Sequence, residues 1–537
     1  RIPSPSSADI RELSDRYHLD LDDEEVEAYR DLVDEHLAVL EALDASREPR
    51  EEYRHTDRDP GSRPDASADP HNAIVRRCHV PGAETGPLSG YTVGVKDNVS
   101  VAGVPMTCGT PVLEGYVPVS DAFVVSQLLD AGATVTAKTN MDEMAVSGTG
   151  ELGLGGPVCN PHSETHLAGG SSGGSAVAVV TGDVDVAIGT DQAGSVRVPA
   201  AWCGCVGLKP THGLVSYRGI APLGHSFDHV GPMARTVADT ARTLEAIVGT
   251  DPLDPRQEDV EPGNYLAATD DADAEGLSVG VLAEGFDSEF ADPAVGECVR
   301  DAVAATGATS RVVSVPFHDE ALPIALTIQF HDIATMWESE GTGKFVGGAA
   351  DSHFAKTFAK ARRASGDEFA PTVKQLFLMG GYLQTALQSR YYNLARNLRR
   401  DLRASYDDAL ASVDAEPGAV TLFRDADGWT PLATEIAGRS ESHIVYRTES
   451  PGLSTFVVGV ERTTAEDAGT AATTESETST AEPETTETKA ETTGEPDIVV
   501  TNATAVPSTL RPGDRTVITV ELENRGTASG DHNVIVA

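Results

Sequence analysis

Apolar residues recur at helical spacing near the start of the chain. Between residues 19 and 44 they fall three or four positions apart, which predicts an amphipathic helix that Asp20 or Asp22 can cap. The residues of this apolar face are Val26, Tyr29, Val33, Leu37 and Leu40. Residues 50 to 70 are rich in Arg, Asp, Pro and Ser and predict a solvated linker. We therefore expect residues 1–70 to form an N-terminal helical arm followed by a linker.

From about residue 90 onwards, stretches with strand-like and helix-like patterns alternate. Leu277 to Ala283 and Arg311 to Val315 predict two strands, and a helix beginning at Asp292-Pro293 lies between them. Such a strand-helix-strand unit indicates an α/β core. A long helix is expected from about 375 to 412, since Leu394, Leu398, Leu402, Tyr406 and Leu410 recur every four residues. The main α/β domain is thus expected to span residues 71–414.

The character of the chain changes beyond Asp414. Residues 415–462 contain short β-type runs separated by turns. Residues 463–496 are dominated by Thr, Glu and Ala and predict a disordered linker, because they offer too little apolar surface to offset the entropy lost on ordering. Residues 497–537 alternate apolar and polar positions, as expected for part of an immunoglobulin-like β segment.

The charge balance restricts the classes of partner. The chain has 84 acidic and 40 basic residues, a formal net charge of −44, and only eight of the basic residues are lysines. The acidic residues are spread along the chain rather than confined to one tail, which favours a halophilic origin, where salt screens the self-repulsion. A charge of this sign argues against nucleic acid or an anionic membrane as a partner.

Cysteine usage and hydropathy indicate the compartment. The six cysteines show no spacing typical of metal ligands, so buried, reduced thiols are expected, without a metal or another cofactor. No apolar stretch reaches the roughly 18 residues of a membrane span, and no hydrophobic signal core is present at the N-terminus. We therefore expect a cytoplasmic protein.

Candidate chemistry is concentrated in two polar segments and one lysine. A glycine- and serine-rich run occupies residues 169–175, a second motif occupies residues 189–200, and Lys96 follows the apolar run Tyr91 to Val95. A serine needs a base to act as a nucleophile, and a lysine can serve once burial lowers its pKa. Taken alone, the glycine-rich run fits a flexible linker and Lys96 fits a surface lysine. However, an apolar segment follows the run directly, and the run lacks the ending of a phosphate-binding loop.

The residues of these segments resemble the amidase signature family. The matching motifs are Val-Lys-Asp-Asn around Lys96, Gly-Gly-Ser-Ser-Gly-Gly-Ser at 169–175 and Gly-Thr-Asp-x-x-Gly-Ser-x-Arg-x-Pro-Ala at 189–200. The resemblance covers residues from about 10 to 414 and implies a mixed β-sheet core surrounded by helices. It implies that Ser195 is the nucleophile, that Ser171 bridges after a cis Gly170-Ser171 peptide, and that Lys96 is the terminal base.

The resemblance also assigns supporting roles around Ser195. Backbone N–H groups of residues 192–195 (Gln192, Ala193, Gly194 and Ser195) are implied to form the oxyanion hole, with Ser172, Asp191 and Arg197 bracing the loop. Here Gln192 and Ala193 replace residues of the usual Asp-Thr-Gly-Gly-Ser sequence. Alanine is costly at residue 193 if that position requires a positive φ.

Finer resemblances suggest a substrate and an assembly. Residues 211–215 and 228–236 resemble amidases of nitrile metabolism, as do Gly103 to Met106 and the N-terminal arm. Such enzymes hydrolyse small aliphatic and aromatic carboxamides and are often dimers. The resemblance therefore implies a small carboxamide substrate and a homodimer formed through the arm. His212 and His229 are interpreted as loop or pocket-wall residues.

Two other functions stay open. One is the amidase subunit of glutamyl-tRNA(Gln) amidotransferase, which frees ammonia from glutamine for a partner subunit. The other is an inactive fusion that acts as a surface or interaction protein. Both alternatives are set against one expectation: the family's C-terminal part is missing after residue 414, and residues 429–459 resemble a β module of archaeal surface proteins.

Overall fold

The computed structural model describes residues 3–44, 53–258, 260–270, 274, 277–286, 292–315, 317–341 and 349–413, and the backbone of seven strands between 420 and 524. The chain folds as two units. The first comprises Arg1–Ala221, His229–Glu261 and Gly347–Glu368, and the second comprises Pro222–Asp228, Pro262–Val346 and Phe369–Ala537.

The first unit is built on a mixed β-sheet. Its strands are β1 (Asp59–Ser62), β2 (Ile74–Pro81), β3 (Thr92–Lys96), β4 (Thr134–Thr139), β5 (Cys159–Asn160), β6 (Ser163–Leu167), β7 (Val186–Asp191), β8 (Val206–Gly207) and β9 (His229–Ala234). Seven of them form one sheet in the order β1-β2-β4-β3-β7-β9-β8, and β5 pairs with β6. In the large sheet β3 runs parallel to β4 and β7, and the other pairings are antiparallel.

The helices of the described residues are α1 (Ser7–Tyr17), α2 (Asp23–Asp44), α3 (Phe123–Asp130), α4 (Gly173–Thr181), α5 (Arg197–Cys203), α6 (Val237–Ile247), α7 (Ala267–Asp270), α8 (Pro293–Ala305), α9 (Ala321–Glu338), α10 (Ser352–Ser365), α11 (Pro371–Ala386) and α12 (Arg390–Val413). Those of the first unit are α1 to α6 and α10. The expected α/β class, with a mixed sheet surrounded by helices, is confirmed.

The core of the first unit explains why its central strands are apolar. Every residue of β7 is buried, as are four of the five residues of β3. Small side chains of α4, such as Ala176 and Val177, pack in one cluster with Ala187 of β7. Parallel strands covered in this way need apolar residues on both faces. Because β3 and β7 are parallel, their carboxyl ends, which carry Lys96 and Asp191, lie at the same edge of the sheet.

The helix predicted between residues 19 and 44 is confirmed as α2. A further helix, α1, precedes it and ends at His18, which has a left-handed φ of 56°. Of the two candidate caps, Asp22 is the one that caps α2. Its Oδ1 accepts the Glu25 N–H at 2.9 Å, and Glu25 Oε2 accepts the Asp22 N–H at 3.0 Å. Residues 59–62, expected within a solvated linker, instead form the exposed edge strand β1.

The second unit contains the predicted strand-helix-strand unit. Strands β10 (Ser278–Leu282) and β11 (Thr309–Val313) are parallel, and α8 begins after Asp292, whose side chain accepts the Ala294 N–H at 2.9 Å. The single long helix expected from about 375 to 412 is wrong, because Gln388 and Ser389 have positive φ values of 50° and 58° and separate α11 from α12.

Strands continue after residue 414. They are β12 (Val420–Asp425), β13 (Trp429–Leu432), β14 (Thr434–Arg439), β15 (His443–Ser450), β16 (Thr455–Val460), β17 (Ile498–Val506) and β18 (Thr516–Asn524). They form antiparallel sheets in the orders β13-β12-β16 and β14-β15-β18-β17. Because β15 pairs with β18, the two β-type segments share one sheet. The linker expected at 463–496 lies outside the described residues.

The cysteines agree in part with the expectation. All six are free thiols, and Cys78, Cys108 and Cys203 are buried. Burial raises the pKa of Cys78 to about 11, so this thiol stays protonated and unreactive at neutral pH. Cys298 is exposed, contrary to the expectation of buried thiols. Among the helices of the described residues, none is long and apolar enough to cross a membrane.

Candidate active site

Lys96 ends strand β3 inside the first unit, with no part of its side chain exposed. Its Nζ donates to Ser171 Oγ at 2.8 Å, to Thr190 Oγ1 at 2.8 Å and to the Thr190 carbonyl at 3.3 Å. None of these acceptors is a carboxylate. The lysine therefore lies among neutral oxygen atoms, and one of them is the hydroxyl of a serine that the sequence singled out.

Burial lowers the pKa of Lys96 to about 7. Desolvation disfavours the ammonium form, and the negative charges of Asp142 and Asp191 oppose this effect only in part. At neutral pH a substantial fraction of Lys96 is therefore the neutral amine. A neutral amine in contact with a serine hydroxyl can accept its proton.

Ser171 follows a cis peptide bond with Gly170, as the family resemblance implies. Its carbonyl accepts the Asp142 N–H at 3.1 Å, and Asp142 in turn accepts the N–H groups of Gly150 at 3.0 Å and Leu152 at 2.8 Å. Burial raises the pKa of Asp142, although these two hydrogen bonds act in the opposite direction. The segment that carries Ser171 is therefore bound to the backbone of Asp142, whose carboxyl group in turn binds the backbone at Gly150 and Leu152.

The two serine segments are tied to each other. The Ser172 N–H donates to the Ser195 carbonyl at 3.1 Å, and Ser172 Oγ donates to the Thr190 carbonyl at 3.1 Å. Ser171, Ser172 and Ser195 are all buried. Ser172 thus links the two segments by hydrogen bonds, and the structure brings Lys96, Ser171 and the segment of Ser195 together in one unit.

Asp191 organises the turn that leads to Ser195. Its Oδ1 accepts the Gly194 N–H at 2.8 Å, and its Oδ2 accepts the Val196 N–H at 3.1 Å. Arg197 donates to both oxygens, at 2.9 and 3.0 Å. Burial alone would raise the pKa of Asp191, but the hydrogen bonds and charge of Arg197 outweigh it and lower this pKa. Asp191 and Arg197 accordingly occupy positions that brace the loop.

The backbone of this turn accommodates Ala193 without strain. The left-handed residue is Gly194, with a φ of 120°, whereas Ala193 has a negative φ and is exposed. A Cβ on Gly194 would lie 2.9 Å from Val198 Cγ2. The glycine of the motif is therefore retained where a side chain would be strained, and alanine is tolerated at residue 193. Gln192 is buried and donates from Nε2 to the Tyr217 hydroxyl at 3.0 Å.

Several residues of this site were missed in the sequence. Thr190 accepts from Lys96, and its Oγ1 also accepts from Asn98 Nδ2 at 3.2 Å. Lys138 is a second fully buried lysine, ion-paired with Asp97. Thr190 and Asn98 lie inside the quoted motifs, so the motifs were the available signal. Lys138 lies outside them, and only its rarity as one of eight lysines could have drawn attention to it.

The described residues contain no group of three His, Cys, Asp or Glu side chains arranged to hold a metal ion. The rings of His212 and His229 lie edge to face, with centroids 5.2 Å apart. His229 is the register partner of Asp191 across β7 and β9, so this pair adjoins the strand that leads to the Ser195 turn.

The second unit contains a cavity of about 350 Å³. Its lining includes His225, Ser226, Asp332, Tyr392 and Arg396. Burial raises the pKa of Asp332 to about 6, although hydrogen bonds from Tyr392 and Ser226 and nearby arginines favour its ionised form. The cavity therefore contains a carboxyl group that changes its charge close to neutral pH.

The site thus combines a buried lysine, a serine hydroxyl in contact with it and a second serine on a linked segment. Sequence comparison identifies the family: the Amidase family profile matches residues 66–417. The chain belongs to the amidase family, whose members cleave C–N amide bonds. The profile begins after the N-terminal arm and ends close to the boundary expected near residue 414.

Two curated relatives carry different names. An enantioselective amidase of Rhodococcus rhodochrous is 41% identical over 374 residues, 67% of this chain and 72% of the relative. The A subunit of the glutamyl-tRNA(Gln) amidotransferase of Natronomonas pharaonis is 41% identical over 350 residues, 64% of this chain and 82% of the relative. These identities do not separate the two functions.

Solved structures likewise match both an amidase and an amidotransferase subunit. The native peptide amidase of Stenotrophomonas maltophilia matches with a TM-score of 0.52 and 31% identity, over 63% of this chain and 70% of that protein. The corresponding glutamyl-tRNA(Gln) amidotransferase protein of Thermotoga maritima matches with a TM-score of 0.52 and 29% identity, over 66% of this chain and 73% of that protein.

Proposed function

We propose that the protein hydrolyses the C–N bond of small carboxamides, releasing ammonia and a carboxylate through an acyl-enzyme on Ser195. The observation that carries the proposal is the 2.8 Å contact between the buried Lys96 Nζ and Ser171 Oγ, together with a Lys96 pKa of about 7. A lysine in this state supplies the base that a serine nucleophile needs.

In the proposed mechanism two proton transfers activate Ser195. Neutral Lys96 takes the proton of Ser171 as Ser171 takes that of Ser195, and the Ser195 oxygen attacks the amide carbonyl. Backbone N–H groups of Gln192, Ala193 and Ser195 stabilise the oxyanion, since the Gly194 N–H, also expected there, donates to Asp191 Oδ1 instead. A missing donor of this kind typically costs about 10²–10³ in rate. The C–N bond then breaks, and the proton held on Lys96 returns through Ser171 to the leaving nitrogen. Water attacks the acyl-enzyme by the same route and restores Ser195.

The amidotransferase subunit is the second candidate function, favoured by the 41% identity to the Natronomonas protein. It predicts that ammonia is released from glutamine only when a partner subunit is present. The Asp-Gln-Ala-Gly-Ser sequence at 191–195 and Thr-His-Gly at 211–213 favour a stand-alone enzyme instead. An inactive fusion at the cell surface is the third candidate.

Three further properties belong to the proposal. The net charge of −44 supports a halophilic protein, and the six free thiols support a cytoplasmic one. Exposed apolar side chains along α2, including Tyr29, Val33 and Leu40, support a homodimer formed through the arm. A neutral amide substrate, without nucleic acid or membrane as a partner, is consistent with that charge.

The test is ammonia release from propionamide, benzamide, indoleacetamide and glutamine in molar KCl, with Ser195→Ala as the matched control. Release from simple amides that disappears in Ser195→Ala supports the proposal. Release from glutamine alone, and only with a partner subunit, would establish the amidotransferase function. A folded protein that releases no ammonia from any of these amides, with or without such a subunit, would favour the inactive fusion.

A further inference from the structure

A second buried lysine lies beside the proposed general base. Lys138 is on β4, which runs parallel to β3, and neither its side chain nor that of Asp97 is exposed to solvent. Lys138 is the register partner of Val95, whereas Lys96 is paired with Thr139. Because side chains alternate along a strand, Lys138 and Lys96 leave the sheet on opposite faces. The sheet thus separates two buried amines that have different surroundings.

Lys138 binds the turn that follows Lys96. Its Nζ donates to the Val99 carbonyl at 2.6 Å and lies 3.3 Å from Asp97 Oδ1. Among the described residues, Oδ1 accepts no hydrogen bond, so the Lys138 ammonium is its partner. Lys138 therefore contacts both ends of residues 97–99.

Asp97 also binds a neighbouring loop through its side chain. Its Oδ2 accepts the Thr107 N–H at 2.8 Å and the Thr107 hydroxyl at 2.5 Å. Its own N–H donates to the Thr139 carbonyl at 3.1 Å. The turn that begins at Asp97 therefore has three contacts: with the β4 backbone at Thr139, with Thr107 and with the side chain of Lys138.

The same turn carries contacts to the reacting groups. The Val99 N–H donates to the Lys96 carbonyl at 2.9 Å, and Asn98 Nδ2 donates to Thr190 Oγ1, which also accepts from Lys96 Nζ. A shift of residues 97–99 would therefore move Lys96 and its acceptor Thr190 together. A general base must stay within hydrogen-bond reach of its proton donor, and a 1 Å misplacement can cost about 10² in rate.

Stability alone does not account for a buried ion pair here. The desolvation of two charges offsets their attraction, and well-packed neutral residues of similar volume often serve as well or better. We propose that the Asp97–Lys138 pair is a positioning device for the general base, which fixes residues 97–99 and thereby holds Lys96 against Ser171. This inference rests on the proposed amidase function.

Two double variants test it. Asp97→Asn with Lys138→Met removes both charges together and deprives the Val99 carbonyl of its donor; we call it the Met variant. Asp97→Asn with Lys138→Gln removes the charges but keeps an amide N–H for that carbonyl; we call it the Gln variant. Neither leaves an unpaired buried charge, which is the change that most strongly destabilises such a site.

We expect the Met variant to fold and to lose about 10² in kcat, with KM within about twofold of the parent. The Gln variant should recover most of that loss, because positioning requires the hydrogen bonds rather than the charges. A matched control replaces another buried pair, Arg58→Met with Asp121→Asn, whose side chains are 6% and 4% exposed. Among the described residues, this pair makes no hydrogen bond to residues 96–99 or 189–195, so the control should keep its kcat.

Parental kcat in a folded Met variant would overturn the inference, as would an equal loss in the Met and Gln variants. If the Met variant does not fold, Thr107→Val removes one donor to Asp97 without creating a buried charge. It should lower kcat severalfold at an unchanged KM, and an unchanged kcat would count against the inference. Activity of the parent, absent in Ser195→Ala, is measured first, so that failure of the amidase function is distinguished from failure of the positioning role.

Discussion

Replacing Lys96 by methionine should abolish activity and yet stabilise the protein near neutral pH. Burial lowers the pKa of Lys96 from its ordinary value of 10.5 to about 7. Because the folded protein disfavours the ammonium, the lysine costs stability at every pH below 10.5. A fall from 10.5 to about 7 corresponds to about 5 kcal/mol, and this cost is fully present below pH 7.

The substitution also removes favourable contacts. Lys96 Nζ has close hydrogen bonds with Ser171 and Thr190, each worth about 1 kcal/mol. Methionine has a similar length and leaves little empty space. The expected net gain near pH 6.5 is therefore about 3 kcal/mol in the free energy of unfolding.

The sign of the effect changes with pH. Above pH 7 the cost of burying the lysine declines by about 1.4 kcal/mol for each pH unit, because the parent then folds with a neutral amine and takes up a proton on unfolding. Near pH 9.5 the gain should have vanished, and the lost hydrogen bonds should make Lys96→Met no more stable than the parent.

The assay is guanidinium unfolding in molar KCl, near pH 6.5 and near pH 9.5, for the parent, Lys96→Met and Ser195→Ala. Ser195→Ala removes a neutral hydroxyl from the same site, so its effect on stability should not depend on pH. A Lys96→Met protein that is less stable than the parent near pH 6.5, or equally changed at both pH values, would refute the reasoning. It would mean that Lys96 folds as a well-stabilised ammonium.

Other predictions follow from single positions. Asp191→Asn should lower kcat about 10²-fold at a similar KM, because the turn loses its charged acceptor, whereas Arg197→Gln, which removes a half-exposed partner, should cost far less. Steady-state kinetics of both variants decide this, and equal losses would contradict it. Gly194→Ala should lower the melting temperature and kcat together, because φ is 120° there; the control Gly182→Ala, at a φ of 80° after α4, should lower the melting temperature alone. Asp332→Asn should raise the free energy of unfolding by up to about 3 kcal/mol above pH 6 and leave it unchanged near pH 4, because the raised pKa of about 6 makes ionisation costly only as pH rises. A gain of the same size near pH 4 would count against that explanation.

Local patterns predicted the elements that depend on local physical chemistry. The strand-helix-strand unit of β10, α8 and β11 follows from alternation and from a capping Asp-Pro pair. The break between α11 and α12 was missed because Gln388 and Ser389 are not residues that typically end helices. Edge strand β1 was missed for a related reason, since its sequence Asp-Pro-Gly-Ser is typical of a turn and pairs only because β2 provides a partner.

The sequence by itself determined the family and the residue types at the site, because the glycine-rich motifs carry backbone requirements that few other residues satisfy. Only the tertiary structure decided the state of those residues. The burial of Lys96, its contacts with Ser171 and Thr190, and the anchoring by Lys138 depend on strands and loops that are distant in sequence. The pKa of an amine is set by its surroundings rather than by its neighbours along the chain. A lysine that fits an ordinary surface position in the sequence therefore acquires a pKa of about 7 only in the folded protein.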